Sequence, residues 1–249
     1  MPLITRAPVM FFLACLLLAP GLSRAGEIVV GVEDLYYRPF YYLETGQYRG
    51  AARDVLDAFA NKNGLSIKYE PRPVNRLYKE FLNGEIDFKF PDNPHWKPEL
   101  KRDRKLFYSR PVLGFIDGVM VRPERRGAGV KGIKILGTVL GFTPWNYQKL
   151  IKAGNIRLME NASFSGLLEQ VILGRIDGAY MNPVVARYQL SQVMKKPGAL
   201  VFDPGLPHIE DAYRLSSLKD PGLIKRFNRF LATEVELIKA IKKRHKVVF

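Results

Sequence analysis

The sequence predicts an α/β fold built from two similar lobes. Two stretches, residues 77–88 and 167–180, share one pattern: a helix-like segment, then Gly, a charged residue, Ile and Asp, then an apolar strand. Their apolar residues recur at the spacing of one helix face, and the Gly fits a helix C-terminus, where a positive φ angle suits glycine. Two lobes imply a cleft between them, and clefts of this kind commonly bind small ligands.

The first 25 residues predict a signal peptide rather than part of this fold. Arg6 gives a positive start, and residues 9–19 form an apolar run too short to span a bilayer. Ser23 and Ala25 place small side chains at positions −3 and −1 of a cleavage site. The alternative is a lipoprotein acylated at Cys15, although most of the apolar run follows this Cys instead of preceding it. We therefore expect cleavage after Ala25 and export to the periplasm.

Composition limits what the exported chain can be. Cys15 is the only cysteine, so the mature chain has neither a disulfide nor a thiol nucleophile. The formal charge of +15 falls to +13 without the signal, because Arg6 and Arg24 leave with it. We expect no nucleic-acid partner, because no recognition motif accompanies the basic residues and the run at 242–246 is typical of a solvated helix end. No later apolar run reaches the length of a membrane span.

Strand and helix patterns alternate in both halves, which predicts parallel sheets flanked by helices. In the first half the predicted strands cover 28–32, 67–70 and 88–90, and the predicted helices cover 54–63 and 75–82. In the second half the predicted strands cover 134–139, 157–159 and 178–181, and the predicted helices cover 144–153, 164–173 and 184–194. A last helix is predicted from Pro221.

Extended segments near 112–121 and 199–216 connect the two halves. We therefore predict that lobe 1 consists of 26–112 plus 204–249 and that lobe 2, residues 113–203, is inserted into it. Two crossing segments would form a hinge.

The order of short motifs resembles family 3 extracellular solute-binding proteins, the periplasmic receptors of polar amino-acid ABC importers. The resemblance extends over about 27–246. It rests on Tyr37-Arg38-Pro39-Phe40, Gly50 with Asp54, the two Gly-x-Ile-Asp copies, Arg102 before Tyr108-Ser109-Arg110-Pro111, and Gly141-Phe142-Thr143. It implies a type II periplasmic-binding-protein fold.

The same resemblance implies roles for individual residues. Tyr37 would pack its ring against the ligand, and Arg102 would clamp a ligand carboxylate with its planar fork. Thr143 would cap a helix that begins at Pro144, and the free N–H groups there would bind the same carboxylate.

Two departures affect the expected ligand. Asn182, which we also expect to contact the ligand, stands where the amino-acid receptors of this family usually have the Asp that holds the ligand ammonium. Asp92 could provide the negative charge from the other wall, and with Asn93 we expect it to contact the ligand; turn chemistry is the alternative explanation of this Asp-Asn-Pro segment.

These observations favour a monomeric receptor that captures a small polar solute, such as an amino acid or a related amine or carboxylate, by hinge closure. Its partner would be an inner-membrane ABC permease or a sensor protein, and no cofactor or metal is expected. The alternative is an exported enzyme similar to cyclohexadienyl dehydratases, with Asp92, His95 and Glu33 as acid–base candidates. Asp92 and His95 alone are too few ligands for a metal.

Overall fold

The computed structural model describes residues 26–247, in which strands and helices alternate. The strands are β1 (Gly26–Glu33), β2 (Tyr42–Glu44), β3 (Gln47–Arg49), β4 (Leu65–Arg72), β5 (Phe88–Asp92), β6 (Phe107–Tyr108), β7 (Leu113–Val121), β8 (Ile135–Val139), β9 (Arg157–Asn161), β10 (Gly178–Met181), β11 (Val201–Phe202) and β12 (Ile209–Ser217). The helices are α1 (Ala51–Lys62), α2 (Val74–Leu82), α3 (Pro98–Lys101), α4 (Gln148–Lys152), α5 (Phe164–Ile172), α6 (Pro183–Tyr188), α7 (Pro221–Thr233) and α8 (Val235–His245).

The main sheet joins two halves through a pair of long strands. Its order is β4-β1-β5-β12-β7-β10-β8-β9, and β7 and β12 run antiparallel at its centre. β1 pairs with β4 and β5 in parallel on one side, and β8 pairs with β9 and β10 in parallel on the other. All second-half strands lie between β6 and β12 in the chain. This confirms the two-lobed α/β fold with an inserted second lobe; the boundaries at 112/113 and 203/204 stay predictions.

The two Gly-x-Ile-Asp copies end their helices as the pattern predicted. Gly84 has a φ angle of 79° and Gly174 has one of 70°. After the first Gly, the N–H of Glu85 donates back to the carbonyl of Glu80 at 3.0 Å, and the second copy repeats this bond at 2.9 Å. Each Gly thereby closes a helix and turns the chain into the next segment.

Three predicted helices differ from the observed ones. Over the predicted 184–194, α6 ends at Tyr188 and a π-helical turn covers Gln189–Val193. Instead of a helix over 144–153, a 3-10 turn covers Trp145–Tyr147 and α4 follows it. Thr143 is not a side-chain cap there; its carbonyl accepts from the N–H of Trp145 at 2.8 Å. The last helix is two helices, because the backbone leaves helical geometry at Glu234, with a ψ angle of 37°.

The predicted signal peptide lies outside the described residues. Within 26–247, every helix is too short or too polar to cross a lipid bilayer.

Candidate ligand-binding site

A cavity lies between the two lobes, and aromatic side chains form most of its wall. Both lobes contribute to this wall, and so do the strands that join them. The lining residues are Glu33, Tyr37, Tyr41, Val74, Tyr78, Trp96, Asp117, Gly141, Phe142, Thr143, Tyr180 and Tyr213.

The lobes are closed against each other around this cavity. The ring of His95 stacks on the ring of Trp145, with 4.5 Å between centroids and 8° between planes. On the other side, the side-chain amide of Gln189 donates to the carbonyl of Tyr36 at 3.0 Å. Each contact joins a residue from the first half of the chain to one from the second.

The closed cavity is small. The space in it that water molecules can occupy is about 20 Å³, whereas one water needs about 10–15 Å³ on this measure. The closed state therefore has room for one or two waters, and a larger solute has to enter while the lobes are apart and reposition the rings as they close.

Glu33 lies at the end of β1 and is neutralised in part by a buried lysine. It is 2% exposed, accepts a hydrogen bond from the Tyr41 hydroxyl at 2.5 Å, and lies 3.9 Å from the Lys89 ammonium. Burial raises the pKa of Glu33, while Lys89 and the Tyr41 hydroxyl partly counteract this shift. Lys89 also donates to the carbonyl of Pro91.

Asp117 lies on the joining strand β7, opposite Ile209 of β12. It is 8% exposed, and its Oδ1 atom is buried without a hydrogen-bond partner. Burial raises the pKa of Asp117 to about 7, and the negative charge of Glu33 contributes to this shift. A cavity-lining carboxylate without a counter-ion is unusual, because burying an unpaired charge is costly.

The carboxylate of Asp92, one of the predicted ligand contacts, is already bound by other side chains of the protein. Its carboxylate accepts from the Lys101 ammonium at 2.8 Å, the Ser216 hydroxyl at 2.7 Å and the Tyr78 hydroxyl at 3.1 Å, and Lys89 lies 4.0 Å away. Although burial opposes it, the charges of Lys89 and Lys101 hold the pKa of Asp92 below its usual range. Asp92 is fully buried and does not line the cavity.

The side chain of Asn93 is also hydrogen-bonded to other groups of the protein. Its side-chain amide donates to Asp211 at 2.7 Å and its side-chain oxygen accepts from the N–H of His95 at 3.0 Å. The turn chemistry considered for the Asp-Asn-Pro segment therefore describes Asn93 better than a ligand contact does.

The predicted carboxylate clamp, Arg102, is exposed and does not line the cavity. The preceding residue, Lys101, points inward instead and is engaged by Asp92 and by the carbonyl of Asn93 at 2.7 Å. Arg102 therefore lies outside the cavity lining, and its contact with a ligand carboxylate stays a prediction that this position does not support.

We expect the Arg102→Ala variant to bind its solute within about twofold of the wild-type affinity, because this side chain faces solvent. Isothermal titration calorimetry of the two proteins checks this. A tenfold or greater loss would mean that Arg102 reaches the solute, contrary to its position here.

Of the three other predicted ligand contacts, two line the cavity and one does not. Tyr37 and Thr143 line the cavity, and the Tyr37 hydroxyl accepts from Tyr213 at 3.1 Å. Asn182 is fully buried and caps α6, where its side-chain oxygen accepts from the N–H of Val184 at 2.8 Å. Their contact with a ligand stays a prediction.

Sequence reasoning missed Asp117 and the rings of Tyr180 and Tyr213. For Asp117 a signal was available, because it is the one charged residue in the otherwise apolar extended stretch 112–121. An acid in a strand that is buried on both sides needs either a partner or a function. The two tyrosines carried no comparable signal, since aromatic residues in strands are ordinary core residues.

No cluster of three or more His, Cys, Asp or Glu side chains within 26–247 is arranged to hold a metal ion.

The family model for bacterial extracellular solute-binding proteins, family 3, matches residues 28–246 of this chain. No curated protein sequence matches it significantly.

Solved structures share the fold at low sequence identity. An arginine third transport system periplasmic binding protein from Legionella pneumophila superposes with a TM-score of 0.71 at 16% identity, over 89% of this chain and 100% of that one. A histidine kinase sensor domain with similarity to periplasmic binding proteins gives 0.70 at 18% identity, over 89% and 96%. An ABC uptake transporter substrate-binding protein from Streptococcus pneumoniae with bound histidine gives 0.69 at 20% identity, over 88% and 92%.

Proposed function

Because this chain belongs to the family 3 bacterial extracellular solute-binding proteins, we propose that it captures a small polar solute of the amino-acid or amine type between its lobes, in the periplasm. Hinge closure around the solute would create the surface that a membrane partner recognises. An ABC permease and a membrane-bound sensor are both compatible with the related structures, which include a transport-system binding protein and a kinase sensor domain.

The cavity between the lobes is the observation that carries this proposal. Its wall draws on both lobes, so a solute bound there contacts both and favours the closed state over the open one. Lining of this kind, mostly aromatic with a few polar groups, is typical of small-molecule sites.

We propose binding rather than catalysis for this site. Of the acid–base candidates considered for a dehydratase-like enzyme, Asp92 is saturated by protein donors and the ring of His95 is stacked on Trp145. Neither lines the cavity, so only Glu33 of these three candidates does. The family and the related structures consist predominantly of binding proteins without catalytic activity.

A thermal-shift screen over amino acids, amines and dicarboxylates tests the proposal. A solute at 100 times its Kd stabilises the folded state by about 2.7 kcal/mol, which raises the Tm by about 5–10 °C for a chain of this size. X-ray scattering should show compaction with the same solute. The proposal fails if no solute shifts the Tm, or if prephenate and arogenate are turned over instead.

Closure brings Gly141 of the second lobe against helix α2 of the first. Gly141 has a φ angle of 90°, and a Cβ atom there would lie 2.9 Å from the Cβ of Val74 and 3.0 Å from the Oδ1 of Asn75. We expect Gly141→Ala to weaken solute affinity about 5- to 150-fold, because overpacking costs about 1–3 kcal/mol and this cost falls on the closed state alone. Calorimetry measures the loss.

Gly154→Ala is the matched control for that change. Gly154 has a similar φ angle of 73°, but nothing lies within 4 Å of the position its Cβ would take. Both variants place an alanine at a positive φ angle, so equal affinities in the two would show that lobe contact at Gly141 does not limit closure.

A further inference from the structure

Among the buried acidic residues described around the cavity, Asp117 is the one that no basic residue neutralises. Glu33 lies 3.9 Å from Lys89, and Asp92 binds Lys101 at 2.8 Å, so these four charges balance. Asp117 has no ion-pair partner among the described residues, and one of its carboxylate oxygens lacks any hydrogen bond. The cavity therefore carries one net negative charge when Asp117 is ionised.

Asp117 lies near Asn182, the position where the sequence departs from the amino-acid receptors. On the antiparallel strands β10 and β7, Met181 pairs with Gly118. Continuing this register one residue beyond the end of β10 brings Asn182, the N-cap of α6, close to Asp117. Asn182 uses its side-chain oxygen to cap α6, and the carboxylate that this end of the cavity would otherwise lack stands close by on the neighbouring strand.

Aromatic rings surround this carboxylate. Burial raises the pKa of Tyr213, and the charge of Asp117 raises it further; the same two causes act on Tyr180 and contribute at Tyr37. All three tyrosines line the cavity with Asp117. Aromatic faces attract an organic cation, and the attraction is strongest where water is excluded.

The cavity offers no matching cationic group. No Lys or Arg belongs to its described lining, Lys89 and Lys101 are held by acidic partners, and Arg102 is exposed. The backbone N–H groups of Gly141 and Phe142 are already bonded, to Glu160 and to Val139. A ligand carboxylate would thus lose its hydration and gain no counter-ion.

We propose that Asp117 is the ammonium-binding carboxylate of this site, and that the solute is a small organic amine without a carboxylate. The inference rests on the proposed solute-binding function and narrows its ligand class. Asp117 supplies the charge, and Tyr37, Tyr180 and Tyr213 supply aromatic faces around the cationic group.

Matched pairs that differ in one carboxylate test this inference: agmatine against arginine, putrescine against ornithine, and histamine against histidine. Calorimetry with the purified protein should show at least tenfold tighter binding of the amine in one or more pairs. Asp117→Asn should weaken that amine at least 100-fold, whereas Asp103→Asn, at an exposed aspartate, should leave it unchanged.

Each of the other possible results would contradict a specific part of this inference. Tighter binding of the amino acids would mean that a carboxylate is recognised, and full amine affinity in folded Asp117→Asn would remove Asp117 as the anchor. If amines fail to bind while another solute in the broad screen does, the inference is wrong and solute capture stands. If nothing in the screen binds, the proposed function itself falls.

Discussion

Asp117→Asn is expected to stabilise the ligand-free protein at pH 8, by up to about 4 kcal/mol. Burial raises the pKa of Asp117 to about 7, compared with about 3.9 in an unfolded chain, and each pKa unit corresponds to about 1.36 kcal/mol. Between these two values the folded state binds more protons than the unfolded state. The stability of the wild type therefore falls as the pH rises from about 4 to 7.

Urea denaturation of both proteins at pH 8 and at pH 4 measures this effect. The variant should be the more stable protein at pH 8, and the difference should fall to about 0.5 kcal/mol at pH 4, where folded Asp117 is protonated and the unfolded residue is about half protonated. Asp103→Asn should track the wild type at both values. Equal stability of wild type and Asp117→Asn at pH 8 would show that the charge at Asp117 is compensated.

The same titration affects solute capture. A cation prefers ionised Asp117, so the Kd should rise as the pH falls below about 7, by up to tenfold per unit. The other titratable groups facing Asp117 are Glu33, whose pKa burial also raises, and Tyr37, Tyr180 and Tyr213, whose pKa values are raised and which stay neutral. In Asp117→Asn the remaining pH dependence should come from Glu33.

The fold was predictable because its signals are local and repeated. Gly84 and Gly174 end their helices with positive φ angles, and the apolar runs that follow are the buried strands β5 and β10. Both features are properties of a few consecutive residues. The extended segments near 112–121 and 199–216 became β7 and β12, whose pairing joins the lobes.

Helix ends set by tertiary contacts were less predictable. Thr143 before Pro144 is a sound start for a helix, yet this loop carries the contacts of Phe142 with the opposite lobe, including a ring centroid distance of 6.0 Å to Tyr37. Helix α4 begins at Gln148, after this loop in the chain. Helix propensity describes the segment in isolation and does not include such contacts between the lobes.

The candidate site was the least predictable part, because small shifts in position change a residue's role. Successive residues of a helix are about 100° apart around its axis, so at the end of α3 Lys101 is buried while Arg102 faces solvent. An alignment based on motif spacing cannot decide which of two adjacent residues, Lys101 or Arg102, points inward. Asp117, the carboxylate that we propose for the ammonium, lies on β7 one residue before the Gly118–Met181 pair, a position that only the sheet register reveals.

Asp92→Asn should strongly destabilise the protein, by about 3–5 kcal/mol, because removing one partner of a buried ion pair leaves the other charge uncompensated. Here the Lys101 ammonium would lose its carboxylate and Lys89 one of its two acidic neighbours, while Ser216 and Tyr78 would lose an ionised acceptor. Urea denaturation at pH 7 measures the loss. Asp103→Asn, the same chemical change at an exposed position, controls for it.

Solute affinity then separates the two buried aspartates. Asp92 lies behind the cavity wall and Asp117 lines it, so Asp92→Asn, studied well below its Tm, should keep its affinity within about fivefold. Asp117→Asn should show the reverse pattern, with higher stability at pH 8 and lost binding. If Asp92→Asn loses binding as completely as Asp117→Asn does, then Asp92 contacts the solute, and the positive charge must be shared between both walls of the cleft.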